Sequence, residues 1–180
     1  SARALIEMAE VVAETDFDLE SGNLIEYELE PFRNLDFAAK DLEIAKEFTD
    51  RGIKTATTYW SWMGRNAPLE YAAMLAITNA NILAGLALLI AMNPENMYFR
   101  YIFPPHMVNP REPQQALMGN VNQIVFSWAA RQLADFYGFK YTITNSGFSD
   151  SIENDFQAGF EVGVTAALAI AAGVTSNGVK

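Results

Sequence analysis

The sequence contains no cysteine. A disulfide framework is excluded, and thiols say nothing about the redox compartment. Histidine is almost absent too: His106 is the single one in 180 residues. A structural zinc site built from Cys and His is therefore excluded, and no bound metal is expected. Positive charge is scarce, with 12 Lys and Arg against 22 Asp and Glu, a net charge of −10. Nucleic acids are held by clustered Lys and Arg on phosphates, so no nucleic-acid partner is expected. The acidity is local. Residues 1–50 hold 14 acidic and 4 basic side chains, whereas residues 51–180 hold 8 of each and are neutral. A P-loop, a Gly-rich dinucleotide turn and a G-x-S-x-G elbow are all missing, which removes the nucleotide-binding and serine-hydrolase readings.

What is present is apolar. Hydrophobic residues make up 51% and charged residues 19%, a composition that excludes a disordered tail. No charge occurs between Glu70 and Glu95. That run is long enough to span a bilayer. Thr78, Asn79 and Asn81 in its middle, without Lys or Arg clusters at its ends, favour a buried core helix. No membrane partner is expected.

Helical and extended patterns alternate along the chain. Residues 3–14 predict a helix, residues 23–30 (NLIEYELE) a strand, and residues 37–50 a helix stopped by Gly52. Residues 54–59 predict a second strand. Pro68 opens a long helix that ends before Asn93-Pro94. The aromatic residues 97–103 predict a third strand, residues 113–137 a helix closed by Gly138, and residues 139–144 a fourth strand. Residues 154–172 predict a last helix, and the tail 174–180 the start of another strand. Strands alternating with helices imply an α/β fold with a parallel sheet and crossover helices. With no Gly-rich first turn, the pattern fits part of a TIM-type (β/α)8 barrel. About four parallel strands cannot close a barrel of eight.

In parallel α/β folds the chemistry collects beyond the C-terminal strand ends. Tyr59, Trp60 and Trp62 lie at the second end, Phe103 and His106 at the third, and Gly147, Phe148 and Asp150 at the fourth. Phe32 lies at the first. Aromatic faces gathered at one rim suit a quaternary ammonium, which ring quadrupoles attract and which cannot hydrogen-bond. The same rings also suit plain filling of the barrel mouth. His106 and Asp150 are candidate polar anchors, and Arg65 and Arg111 are loop arginines able to fork onto a carboxylate. Asp155 and Glu153 read as helix-start residues, with Asn154 as cap. No residue is assigned a catalytic role.

The order of motifs resembles one family. Ala67-Pro68-Leu69-Glu70-Tyr71-Ala72 leads into Ala76-Ile77-Thr78-Asn79-Ala80-Asn81-Ile82-Leu83-Ala84-Gly85-Leu86, then Asn93-Pro94. Ala129-Ala130-Arg131-Gln132-Leu133-Ala134 runs on to Tyr137-Gly138. Ser149-Asp150-Ser151 is followed by Asp155-Phe156-Gln157-Ala158-Gly159-Phe160-Glu161 and an Ala-rich helix. From about residue 5 to the end this series resembles the trimethylamine methyltransferase family. The resemblance implies a TIM-type barrel in a longer chain, of which residues 1–180 form a single segment. It implies a cytoplasmic methyltransferase that moves a methyl group from an amine to the Co(I) of a corrinoid (cobalamin) carried by a partner protein. A homo-oligomer is also expected, since an incomplete barrel leaves apolar faces to cover.

The chain departs from the family at informative places. Trimethylamine-using members carry pyrrolysine at a slot that falls at or next to Gly147. The family lysine after the Ser-Asp pair is Ile152 here, and Arg65 and Asn66 replace small residues after the turn glycine Gly64. Members without pyrrolysine are associated with quaternary amines such as betaines. The resemblance therefore implies a quaternary-amine substrate, with Tyr59, Trp60, Trp62, Phe103 and Phe148 as a cage and Asp150 and His106 orienting the ligand. The alternative is a non-catalytic binding or assembly module derived from the same barrel.

Overall fold

The computed structural model describes residues 2–15, 24–95, 100–102, 106–139, 141–144, 147–173 and 176–177. Among these are five helices and eight short strands, a mixed α/β arrangement. They fall into two compact units, residues 1–58 with 81–99 and residues 59–80 with 100–180.

The first unit contains α1 (Ala2–Val12), β1 (Tyr27–Leu29), α2 (Ala39–Asp50) and β2 (Thr55–Thr58). β1 and β2 run parallel, with Tyr27 opposite Thr55 and Leu29 opposite Thr57, so β1-α2-β2 is one crossover unit. Ile6, Phe48 and Ile53 form one core cluster, and Leu29, Ala45 and Leu89 another. Tyr27 stacks on Phe48 at 5.2 Å between ring centroids. The expected stop at Gly52 is observed with φ +72°, and the amide of Ile53 turns back onto the Phe48 carbonyl at 3.1 Å.

The long helix α3 (Tyr71–Met92) begins three residues after Pro68 rather than at it. Its residues 81–92 count with the first unit and 71–80 with the second. Gly85 lets it approach β2: a Cβ there would lie 2.2 Å from Thr57 Oγ1. By length and composition α3 could cross a membrane. Its fully buried polar residues nevertheless have partners in the protein. Asn81 Oδ1 accepts the Leu35 amide at 2.6 Å, and the Thr78 and Ser61 hydroxyls share a hydrogen bond at 2.8 Å.

The second unit holds β3 (Trp62–Met63), β4 (Arg100–Ile102), β5 (His106–Val108), β6 (Ala116–Leu117), α4 (Val121–Tyr137), β7 (Tyr141–Thr144), α5 (Phe156–Ala171) and β8 (Ser176–Asn177). β4 pairs parallel with β7, and β7 parallel with β8. The helices α4 and α5 are the crossovers that precede β7 and β8.

Three expectations change. Residues 113–120 are not helical. Pro110 and Pro113 lack amide donors, and Asn109 ties a turn by donating from Nδ2 to Gln115 Oε1 at 2.9 Å and accepting the Arg111 amide at 3.0 Å. That turn folds β6 antiparallel onto β5. The segments beyond β2 and β4, read as loops, pair in parallel as β3 and β5. The cap of α5 is Asp155, not Asn154: its carboxylate accepts the Ala158 amide at 2.9 Å.

Candidate functional site

The segment after β2 is organised by alternation. Successive residues of an extended chain point to opposite sides. Ser61 turns toward α3, where it meets the Thr78 hydroxyl, which also donates to the Met74 carbonyl at 2.8 Å. Trp60 and Trp62 turn the other way and meet His106. Trp62 and His106 stand opposite each other in the β3–β5 pair, and the His106 amide donates to the Ser61 carbonyl at 2.8 Å. The imidazole lies 5.1 Å from the Trp60 ring and 6.1 Å from the Trp62 ring, edge-on to the latter at 90°.

His106 is fully buried. Burial disfavours its charged form and pushes its pKa down to about 4. A neutral ring thus lies against both indoles.

The turn that follows fixes the indoles. Gly64 has φ +88°, a left-handed conformation open to glycine, and a Cβ there would also crowd Leu69 Cδ2 at 3.1 Å. Its amide donates to the Ala67 carbonyl at 2.9 Å. Asn66 then holds both tryptophan positions through the backbone. Its Oδ1 accepts the Trp62 amide at 2.6 Å, and its Nδ2 donates to the Trp60 carbonyl at 3.0 Å. Arg65 lays its guanidinium over the Trp62 ring, 4.8 Å from the centroid. Arg65 thus engages the Trp62 ring, and Asn66 the backbone of both tryptophans.

A second cluster surrounds the end of β7. Gly147 is buried with φ +82°, and its amide donates to Thr165 Oγ1 at 3.0 Å. Phe148 and Asp150 are half-buried. Asp150 is engaged on both sides: its Oδ1 accepts the Met118 amide at 2.6 Å, and its own amide donates to Glu161 Oε2 at 2.8 Å. Glu161 also accepts from the Ser149 hydroxyl at 2.7 Å and from Gln157 Nε2 at 2.8 Å. Desolvation raises the Glu161 pKa, but these hydrogen bonds to its carboxylate outweigh it, and the net shift is downward. Gly119 makes room for this brace, since a Cβ would meet Glu161 Oε2 at 2.3 Å.

The two clusters are joined through β6. His106 opens β5, Met107 of β5 lies opposite Leu117 of β6, and the next residue, Met118, is the one bound by Asp150.

The structure thus brings Trp60, Trp62 and His106 into one group and places Gly147, Phe148 and Asp150 on one braced turn. Tyr59 is among the largest enclosed side chains, 2% exposed. Phe103 lies outside the described residues. Phe32 is 72% exposed in the first unit, with the Arg33 guanidinium over its ring at 5.4 Å. Two clefts of about 400 Å³ also lie in the first unit, one of them at the end of β1 between Tyr27, Glu30, Phe32 and Asp41. Sequence reasoning missed Ser61, Thr78, Asn66 and Glu161 as supports. A polar residue inside an apolar helix was the available signal for Thr78.

Among the described residues, no group of three or more His, Cys, Asp or Glu is placed to hold a metal ion.

A search of curated proteins finds no match. The family model described as trimethylamine methyltransferase (MTTB) matches residues 2–177. That match covers nearly the whole chain and agrees with the motif order from Ala67 to Glu161, so the chain belongs to the trimethylamine methyltransferase family, whose members are methyltransferases acting on methylamines.

Proposed function

We propose that this chain is part of a cytoplasmic, corrinoid-dependent methyltransferase whose substrate is a quaternary amine. The observation that carries the reading is the pairing of Trp60 and Trp62 around a neutral His106 at a strand end. Indole faces attract a cation that has no hydrogen to donate. Phe148, on the Gly147 turn, is the further aromatic assigned to the proposed surroundings, and Asp150 braces that turn between the Met118 amide and Glu161. The parallel strand pairs support a barrel segment.

The chemistry asks little of the protein beyond binding and aim. A Co(I) corrinoid held by a partner protein would supply the electron pair for the new bond to the methyl carbon. The C–N bond breaks, its electron pair stays on nitrogen, and a neutral tertiary amine leaves without a proton. The chain's residues hold the cation and line up the methyl group. A tertiary amine would instead leave as an amide anion. The slot where relatives carry pyrrolysine falls at or next to Gly147, which here is a buried left-handed glycine.

Self-association belongs to the same proposal. Val121, Val125 and Trp128 lie at helical spacing on α4 and are all exposed, a face suited to a second copy.

The test is methyl transfer by the full-length protein from a panel of quaternary amines to Co(I) cobalamin. Loss of the Co(I) absorbance together with release of the tertiary amine supports the reading. No transfer from any donor, with a control methyltransferase active in the same assay, overturns it.

A further inference from the structure

We infer that Arg65 makes the Trp62 end of the site selective for zwitterions, rejecting a plain quaternary cation and accepting one that carries its own carboxylate. The inference deepens the proposed function and rests on it. Its basis is the guanidinium 4.8 Å from the Trp62 centroid. The ring face that would attract a ligand's ammonium already holds a cation of the protein. The His106 edge stands against the same indole. A ligand cation that takes the face of Trp62 covered by Arg65 must displace the guanidinium.

The two ligand types differ in what happens next. A plain cation leaves the displaced guanidinium close to a second positive charge and gives it nothing in return. A zwitterion places its ammonium on the ring and offers its carboxylate to the same guanidinium. The cation–π contact is then replaced by charge-assisted hydrogen bonds in a fork that suits Arg and not Lys. Arg65 is free to make that exchange. It is exposed, and among the described residues no ion pair ties it to a carboxylate of the chain. Asn66 holds the turn through the backbone independently of the Arg65 side chain, so the indoles keep their places when the arginine moves.

Calorimetric binding of tetramethylammonium and of glycine betaine to the full-length protein tests this, in wild type, Arg65→Gln, Arg65→Lys and Trp62→Ala. In Arg65→Gln, tetramethylammonium should bind about two- to fivefold more tightly, the range of one exposed cation–π contact. Glycine betaine should bind about tenfold or more weakly. Arg65→Lys should keep the plain cation weak and recover only part of the betaine affinity. Both ligands moving in the same direction in Arg65→Gln, or neither moving, overturns the inference. Trp62→Ala separates that failure from failure of the site itself. If it weakens both ligands while Arg65→Gln discriminates nothing, the aromatic site stands and the selector falls. If it changes neither ligand, the site falls and the inference with it.

Discussion

Acidification should destabilise this protein through His106 before most carboxylates titrate. In the unfolded chain the imidazole has its ordinary pKa of 6.5, and in the fold burial holds it down to about 4. Between those values the unfolded state binds the proton and the folded state does not, so stability falls as pH falls. The stabilisation is fully present above pH 6.5, declines through the interval, and is exhausted below pH 4. The linkage relation gives a loss of about 1 kcal/mol between pH 7 and 5.5, and about 2 kcal/mol by pH 4.5. The full span of the shift corresponds to about 3 kcal/mol. Carboxylates elsewhere add their own pH dependence, so the measured quantity is a difference. Urea unfolding of wild type and His106→Gln, followed by tryptophan fluorescence from pH 7.5 to 4.5, should give stability curves that converge on acidification by these amounts. Curves that stay parallel would refute the idea that His106 is buried uncharged.

Further outcomes follow from the contacts around the site and the core. Thr78→Val should destabilise by about 1–3 kcal/mol, because the buried Ser61 hydroxyl is left with only the weak Met74 Sδ acceptor, whereas Thr78→Ser should retain most of that stability in thermal unfolding. Gly85→Ala should cost about 1–3 kcal/mol by driving a methyl into the stiff Thr57 side chain, read by urea midpoint. Glu161→Gln should loosen the 147–150 turn, read as faster amide exchange at Asp150. The folded pKa of Glu161 is lowered, so its ionised brace is present above its unfolded pKa and is lost as pH falls through the folded value. Trp60→Ala should weaken quaternary-amine binding about two- to thirtyfold by calorimetry, the span of cation–π energies from exposed to desolvated settings.

The large elements were legible because their signals are local. Gly52 and Gly138 each close a helix at positive φ, and the alternating run around Tyr27–Leu29 forms a strand. β1 and β2 came out shorter than the runs that predicted them, since pairing needs a partner strand as well as propensity. The reading of residues 113–120 as helix failed for a related reason. Gln and Leu there are good helix formers, but two prolines and the Asn109 side chain impose a turn that only the pairing with β5 rewards. Trp60, Trp62 and His106 were marked from residue type and strand-end position. Their meeting depended on a parallel pair, β3 with β5, that strands of two and three residues cannot announce. Glu161 was invisible as a brace because its three donors come from residues 149, 150 and 157, and only the folded turn gathers them.

On the proposed reading, the departures at Arg65, Asn66 and Gly147 have one physical sense. A donor that leaves as an anion needs an activating group, and a bulky one must project from the strand end after β7. Gly147 works against that: φ of +82° is a backbone state most side chains avoid, and its amide is spent on Thr165. A donor that leaves as a neutral amine needs no activation but must be held against water, because its charge is well solvated. Holding it falls to the other strand end, where Asn66 fixes two indoles and Arg65 covers one of them. His106 belongs to the same logic. A protonated imidazole beside the indoles would oppose a cationic ligand, and burial keeps it neutral at neutral pH by holding its pKa down to about 4. Restoring a large side chain at Gly147 would therefore strain the turn and gain nothing for a quaternary donor, whereas loss of Asn66 would release the indoles on which binding depends.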